Sequence, residues 1–163
     1  MKGFEMAFDI FIREERSIPK RGVAAGGGLP VSSGCLKNLT EAAFKITGKT
    51  EGSVSLVVCD DPFIAGLNER YLGEEGPTDV LSFPLREGVS ADAQNPMLGD
   101  IVISTDTAAR QAREAQNPIE AEFSGLYVHG LLHLLGYSHD SDAGGKLMRG
   151  IADTILSEGK RGA

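Results

Sequence analysis

The sequence predicts a single α+β domain, one mixed sheet of about four strands packed against helices. Three observations carry this expectation. The 163 residues suit one domain with a real core. Strand-like and helix-like segments mix without strict alternation, and no repeat or compositional break divides 1–163. In the middle, Ser53 to Cys59 is β-branched and almost continuously apolar, the pattern of a strand buried on both faces.

The remaining elements follow in chain order. Phe8 to Arg13 alternates, imperfectly, as a half-buried strand does. Ser17 to Gly34 is rich in Gly, Pro and Ser and reads as a flexible surface loop. Gly26-Gly27-Gly28 at its centre lacks the strand-Gly-Lys-Ser/Thr context of a phosphate loop. Leu36 to Ile46 has helical spacing of apolar residues, and Gly48 ends it. Asp60 or Asp61, with Pro62 behind, starts a helix to about Tyr71. Thr78 to Phe83 is a short strand, placed at a sheet edge by Pro84. Arg86 to Gly99 is a long polar loop, and Asp100 to Ser104 another strand. Thr105 or Asp106 caps a helix to about Gln116. Asn117-Pro118-Ile119-Glu120 places Asn at the N-cap, Pro at N1 and Glu at N3 of the next helix. A last amphipathic helix spans about Ala143 to Ser157, with Leu147, Met148, Ile151 and Ile155 as its inner stripe and 159–163 as a tail.

Composition narrows the function. Hydrophobic residues make up 41% and charged residues 24%, a soluble globular profile without an apolar run of membrane-spanning length. No apolar stretch follows Lys2, so no secretory signal is expected, and Cys35 and Cys59 form no metal or redox motif. A cytoplasmic protein with reduced thiols is the resulting expectation. The net charge of −7 argues against a sequence-blind polyanion binder. Any attraction for nucleic acid must then be local.

The chemistry concentrates at His129-Gly130-Leu131-Leu132-His133-Leu134-Leu135-Gly136-Tyr137-Ser138-His139, which holds all three histidines of the chain. His129 and His133 are four apart and share a helix face. Gly136 is the residue type that ends helices with φ > 0, so the chain can turn back and bring in His139. Three converging imidazoles make a transition-metal site, assigned to one Zn²⁺. Three neutral ligands leave a fourth position for water, whose pKa such a site can lower to about 7. The same residues could instead be packed core histidines, or a closed structural site with Asp140 or Asp142 as fourth ligand. The open catalytic site is the adopted reading, with Asp140 accepting a ligand N–H from outside the coordination sphere.

His-x-x-x-His-x-x-Gly-x-x-His resembles the zinc helix of the metzincin proteases. Those enzymes carry Glu directly after the first His as general base. Gly130 stands there in this chain, and Met148, the only downstream Met, sits in a helical pattern rather than a turn. A zinc peptidase or amide hydrolase of this geometry is therefore one reading of the block, without the usual helical base.

Four blocks carry a resemblance to the bacterial YbeY family of rRNA maturation endoribonucleases. They are Leu67-Asn68-Glu69-Arg70-Tyr71, Pro77-Thr78-Asp79-Val80-Leu81-Ser82-Phe83-Pro84, Leu98-Gly99-Asp100-Ile101-Val102-Ile103-Ser104 and the histidine block. The resemblance implies one mixed sheet with helices, and His129, His133 and His139 as zinc ligands. It implies metal-dependent cleavage of single-stranded RNA in 16S rRNA 3′-end maturation and ribosome quality control. The implied partners are an rRNA precursor and the small ribosomal subunit, in the cytoplasm, with no membrane; the alternatives to the nuclease are the zinc peptidase or amide hydrolase above and a non-catalytic ribosome-assembly factor whose zinc holds the last helix in place. One departure stands out. Many relatives have Arg directly after the tyrosine of the first block; Leu72 takes that place here, and Glu74 stands where a further basic residue is expected. Arg70 or Arg86 is then the candidate to stabilise charge on the phosphorane.

Overall fold

The computed structural model describes residues 6–16, 28–85 and 96–162. Four strands and five helices follow one another as β1 (Ala7–Glu15), α1 (Ser33–Thr47), β2 (Glu51–Cys59), α2 (Asp61–Leu72), β3 (Val80–Pro84), β4 (Met97–Ser104), α3 (Thr105–Glu114), α4 (Ile119–Leu134) and α5 (Asp142–Arg161). The α+β fold with one mixed four-stranded sheet is the one expected. The sheet order is β1-β2-β4-β3. β1, β2 and β4 run parallel, and β3 is antiparallel to β4 at the edge, where Pro84 placed it.

Register divides the side chains between two faces, because residues paired across strands point the same way. Ile12, Leu56 and Ile101 share one face. That face packs against α1, α3, α4 and α5 in the larger core, with Phe123, Tyr127, Leu131 and Ile155 fully buried. Arg13, Val57, Val102 and Leu81 share the other face. There, among the described residues, α2 supplies the cover, through Ile64, Phe63 and Leu67. β2, with apolar residues in both cores, is buried on both faces as its sequence implies. Polar groups inside the larger core are paired: the Tyr127 hydroxyl donates to Thr40 Oγ1 at 2.8 Å, which itself donates to the Leu36 carbonyl.

Several boundaries differ from the sequence expectation. α1 starts at Ser33, because Ser32 accepts the Cys35 N–H at 3.1 Å; residues 33–34, assigned above to the loop, are helical. Residues 17–27 of that loop, with Gly26 and Gly27, lie outside the described residues, as do residues 86–95 of the polar loop, including Arg86. β4 begins at Met97, three residues early, and its pairing with β2 shifts register between Ser53 and Val54. Ser104 caps α3, in place of Thr105 or Asp106. At α4 the N-cap is Pro118, with no side-chain cap bond. Asn117 is drawn into the preceding turn, where its N–H donates to the Ala112 carbonyl and Gln116 takes a positive φ of 56°. α5 runs to Arg161, so residues 159–161 are helix rather than tail. It lies so close to α1 that a Cβ at Gly159 would sit 2.6 Å from Leu39 Cδ2. Its inner stripe holds Met148 and Ile155, whereas Leu147 is 58% exposed and lies off it.

Candidate metal centre

α4 carries His129 and His133 one turn apart, with ring centroids 4.6 Å apart and Nε2 atoms 3.1 Å apart. Gly136, at φ 94°, then reverses the chain. The Tyr137 N–H donates to the Leu132 carbonyl and the Gly136 N–H to the His133 carbonyl, a Schellman closure that satisfies the helix end. Two residues later His139 returns to the same place, 5.5 Å from the His129 ring and 5.0 Å from the His133 ring. One ligand nitrogen from each histidine lies within 4.8 Å of the others. Nitrogens around a tetrahedral zinc, each about 2.0–2.1 Å from it, stand roughly 3.3 Å apart. Only small side-chain rotations separate the three rings from that triangle, so the donor set fits a metal ion.

Tautomer and protonation favour ligation. His133 Nδ1 lies 3.0 Å from the Tyr137 carbonyl, which as an acceptor fixes the proton on Nδ1 and leaves the Nε2 lone pair for a metal. This partner is a backbone carbonyl, not Asp140. The Asp140 carboxylate instead accepts from the Ser138 hydroxyl, and its charge reaches His133 only as a longer-range field. Burial, then the neighbouring rings, lowers the pKa of His129, against a smaller opposing pull from Asp79. Burial lowers that of His133 as well, partly offset by the Tyr137 carbonyl. Neutral rings at pH 7 are the state a metal needs.

The three histidines line a 400 Å³ pocket with Leu72, Asp79 and the β3 residues Val80 to Pro84. The Asp79 carboxylate accepts from the Val80 N–H at 2.7 Å and from Gln111 at 3.2 Å. Ser82 donates to the Gly130 carbonyl at 3.3 Å. Both positions pass for turn and packing residues in the sequence, and both do hold structure; only the folded pocket adds Asp79 to the site. Leu72 lines the pocket at 58% exposure, with no guanidinium in its place. Arg70 does not line it; its guanidinium lies 5.4 Å from the Tyr71 ring centroid.

Gly130 explains the missing helical carboxylate. A Cβ there would lie 2.7 Å from Ile101 Cγ2 and 3.2 Å from Ser82 Oγ. α4 meets the sheet at this residue, so no side chain fits where a metzincin carries its base. The two cysteines are free thiols. Burial, then the charges of Asp60 and Asp61, pushes Cys59 up to about 12, which leaves it inert. Among the described residues, no helix is long and apolar enough to cross a membrane.

Comparison with known proteins adds an independent line. Residues 31–160 match the family model described as Endoribonuclease YbeY. A protein named Endoribonuclease YbeY from Pelotomaculum thermopropionicum is 42% identical over 127 residues, covering 76% of this chain and 84% of that protein. Another of the same name, from an Anaeromyxobacter species, is 40% identical over 129 residues, covering 78% of this chain and 66% of that protein. The solution structure of TM1509 from Thermotoga maritima superposes with a TM-score of 0.55 at 25% identity, covering 96% of this chain and 93% of that one.

Proposed function

The chain belongs to the YbeY family of endoribonucleases, and from that premise we propose that it is a zinc-dependent, single-strand-specific endoribonuclease of 16S rRNA 3′-end maturation and ribosome quality control. Its substrate is RNA, an rRNA precursor presented in the cytoplasm with the small ribosomal subunit. The observation that carries the metal-dependent reading is the convergence of His129, His133 and His139 beside an open pocket.

His129, His133 and His139 would hold the ion. When bound, it supplies Lewis acidity toward a phosphate oxygen and a water of lowered pKa. The chain's own groups do the rest. The Tyr137 carbonyl keeps the His133 proton on Nδ1, so the ring presents Nε2 inward. Among the described residues, Asp79 is the carboxylate that lines the pocket, held in place by the Val80 N–H and Gln111. In this reading it takes a proton from an attacking hydroxyl, a role that α4 itself does not supply because Gly130 is packed on Ile101. That packing also weighs against the peptidase alternative. The excess of acidic residues, giving −7 overall, fits delivery of the RNA by a partner rather than long-range capture.

The test is metal analysis of the purified protein alongside cleavage of a single-stranded RNA, with wild type compared to His133→Ala. One ion per chain and metal-dependent cleavage are expected of the wild type. The variant should lose both while keeping its circular dichroism spectrum. A folded variant that still cleaves at the wild-type rate refutes the proposal.

A further inference from the structure

A second pocket, of 320 Å³, opens on the sheet face that α2 only partly covers. Its floor is Val57 and Val102, neighbours across β2 and β4. Its wall is aromatic, with Phe63 and Tyr71 from α2 and Phe83 from β3. The Tyr71 and Phe83 rings meet edge to face, 5.3 Å between centroids, and Tyr71 is 57% exposed. Arg13 and Asp100, two strands apart on this same face, also line it. Arg13 also lies 3.9 Å from the Glu15 carboxylate.

This pocket adjoins the histidine pocket. Phe83 lines both, and the consecutive residues Tyr71 and Leu72 line one each. We propose that it is a nucleobase subsite, holding one unpaired base of the RNA strand whose phosphate lies at the histidines. The proposal rests on the reading of the chain as an RNA-cleaving enzyme and names what that enzyme grips.

Three features select a base as occupant. Apolar floor and aromatic wall match the π-faces of a heterocycle, which stack on such rings irrespective of sequence. The volume lies at the lower end of ligand pockets, which begin near about 300 Å³, room for a ring system rather than for a folded segment. The two charged residues that line it, Arg13 and Asp100, are of opposite sign, suited to an edge that bears both donors and acceptors. A base must leave its duplex to enter, which accounts for single-strand preference without a contact to the backbone.

Asp100 sets which base is favoured. A carboxylate accepts from N–H groups and repels carbonyl oxygens. The Watson–Crick edge of guanine offers adjacent ring and amino N–H donors. That of uracil sets one N–H between two carbonyls. Guanine is therefore preferred over uracil, and the preference belongs to the Asp100 carboxylate.

The experiment uses metal-free protein in chelator, with guanosine 5′-monophosphate, uridine 5′-monophosphate and base-free ribose 5-phosphate as probes. The Val57 and Val102 methyl resonances are followed by NMR. Saturable shifts are expected with the guanine nucleotide, weaker ones with the uracil nucleotide and none with the sugar phosphate. Tyr71→Ala, at an exposed position, should weaken binding about tenfold or more. Asp100→Asn should bring the two nucleotides to near-equal affinity. The proposal is overturned if ribose 5-phosphate shifts these methyls equally, or if they respond to a ribosomal protein and to no nucleotide. RNA cleavage by a wild type whose methyls stay silent sinks the subsite and spares the nuclease. Nucleotide-induced shifts in a protein that cleaves no RNA do the reverse.

Discussion

Two glycines of one helix should respond oppositely to the same substitution. Gly125 and Gly130 both lie within α4. A Cβ at Gly125 meets nothing within 4 Å, whereas one at Gly130 meets Ile101 Cγ2 at 2.7 Å, Ser82 Oγ at 3.2 Å and Ile101 Cγ1 at 3.3 Å. In either case Ala recovers about 0.5–1 kcal/mol of backbone entropy in a helix interior. At Gly125 nothing opposes that gain, so Gly125→Ala should stabilise by that amount. At Gly130 the added methyl must push apart α4 and β4, and Ile101 is fully buried with no room to yield. Overpacking of this kind costs about 1–3 kcal/mol. The net for Gly130→Ala is then a loss of up to roughly 2.5 kcal/mol, with no gain in stability. Urea unfolding followed by circular dichroism reads both variants against wild type. The Gly130 substitution should also displace His129 and His133 relative to His139, so zinc affinity should fall in Gly130→Ala and not in Gly125→Ala. Equal stabilisation by the two substitutions, or unchanged zinc affinity at Gly130, would refute the claim that α4 is seated on the sheet through this glycine.

Other perturbations address charge. Leu72→Arg places a guanidinium on the rim of the histidine pocket, beside the developing phosphorane charge, and should raise kcat for RNA cleavage about tenfold or more; an unchanged rate means that position does not face the scissile phosphate. Zinc uptake should be full at pH 7 and fall away only below the usual histidine range, since burial holds His129 and His133 below it. Uptake that already declines above pH 7 contradicts neutral, buried rings. Asp61 opposes its own burial with bonds from Ser104, Thr107 and Arg110, which together hold its carboxyl below the usual range. A depressed carboxyl stabilises above its unfolded pKa and loses that contribution as pH falls through the folded one. Asp61→Ala should therefore cost about 1–3 kcal/mol at pH 7, by stranding the Ser104 and Thr107 hydroxyls, and progressively less below about pH 4. A pH-independent deficit in urea titrations would show that charge has no part in it.

Local signals placed most of what sequence could place. The β-branched run of β2, the Pro that closes β3 and the glycines that end α1 and α4 act through their own backbone and side-chain preferences, and these elements formed within a residue or two of where those preferences put them. The histidine spacing is of the same kind. Four residues on a helix and a left-handed glycine fix the direction of the chain, whatever packs around it. Errors arose where a competing backbone bond or a packing contact overrode the local preference. Asn117 was drawn into a turn with Ala112, and α5 was carried to Arg161 by close packing on Leu39.

Only the tertiary structure decided the surroundings of those histidines. Asp79 and Leu72 enter the pocket because β3 borders α4 and because α2 ends beside it, neither of which leaves a periodic trace in the sequence. Asp140 was expected at a ring and is engaged by Ser138 instead, since the nearer Tyr137 carbonyl already accepts from His133. Gly130 is likewise mute in the sequence, where it could be a weak helix residue like Gly125; its meaning is the 2.7 Å approach of Ile101. A chain encodes the direction of each element within a few residues. Which surfaces then meet depends on burial summed over the whole domain, and no short stretch of sequence contains that sum.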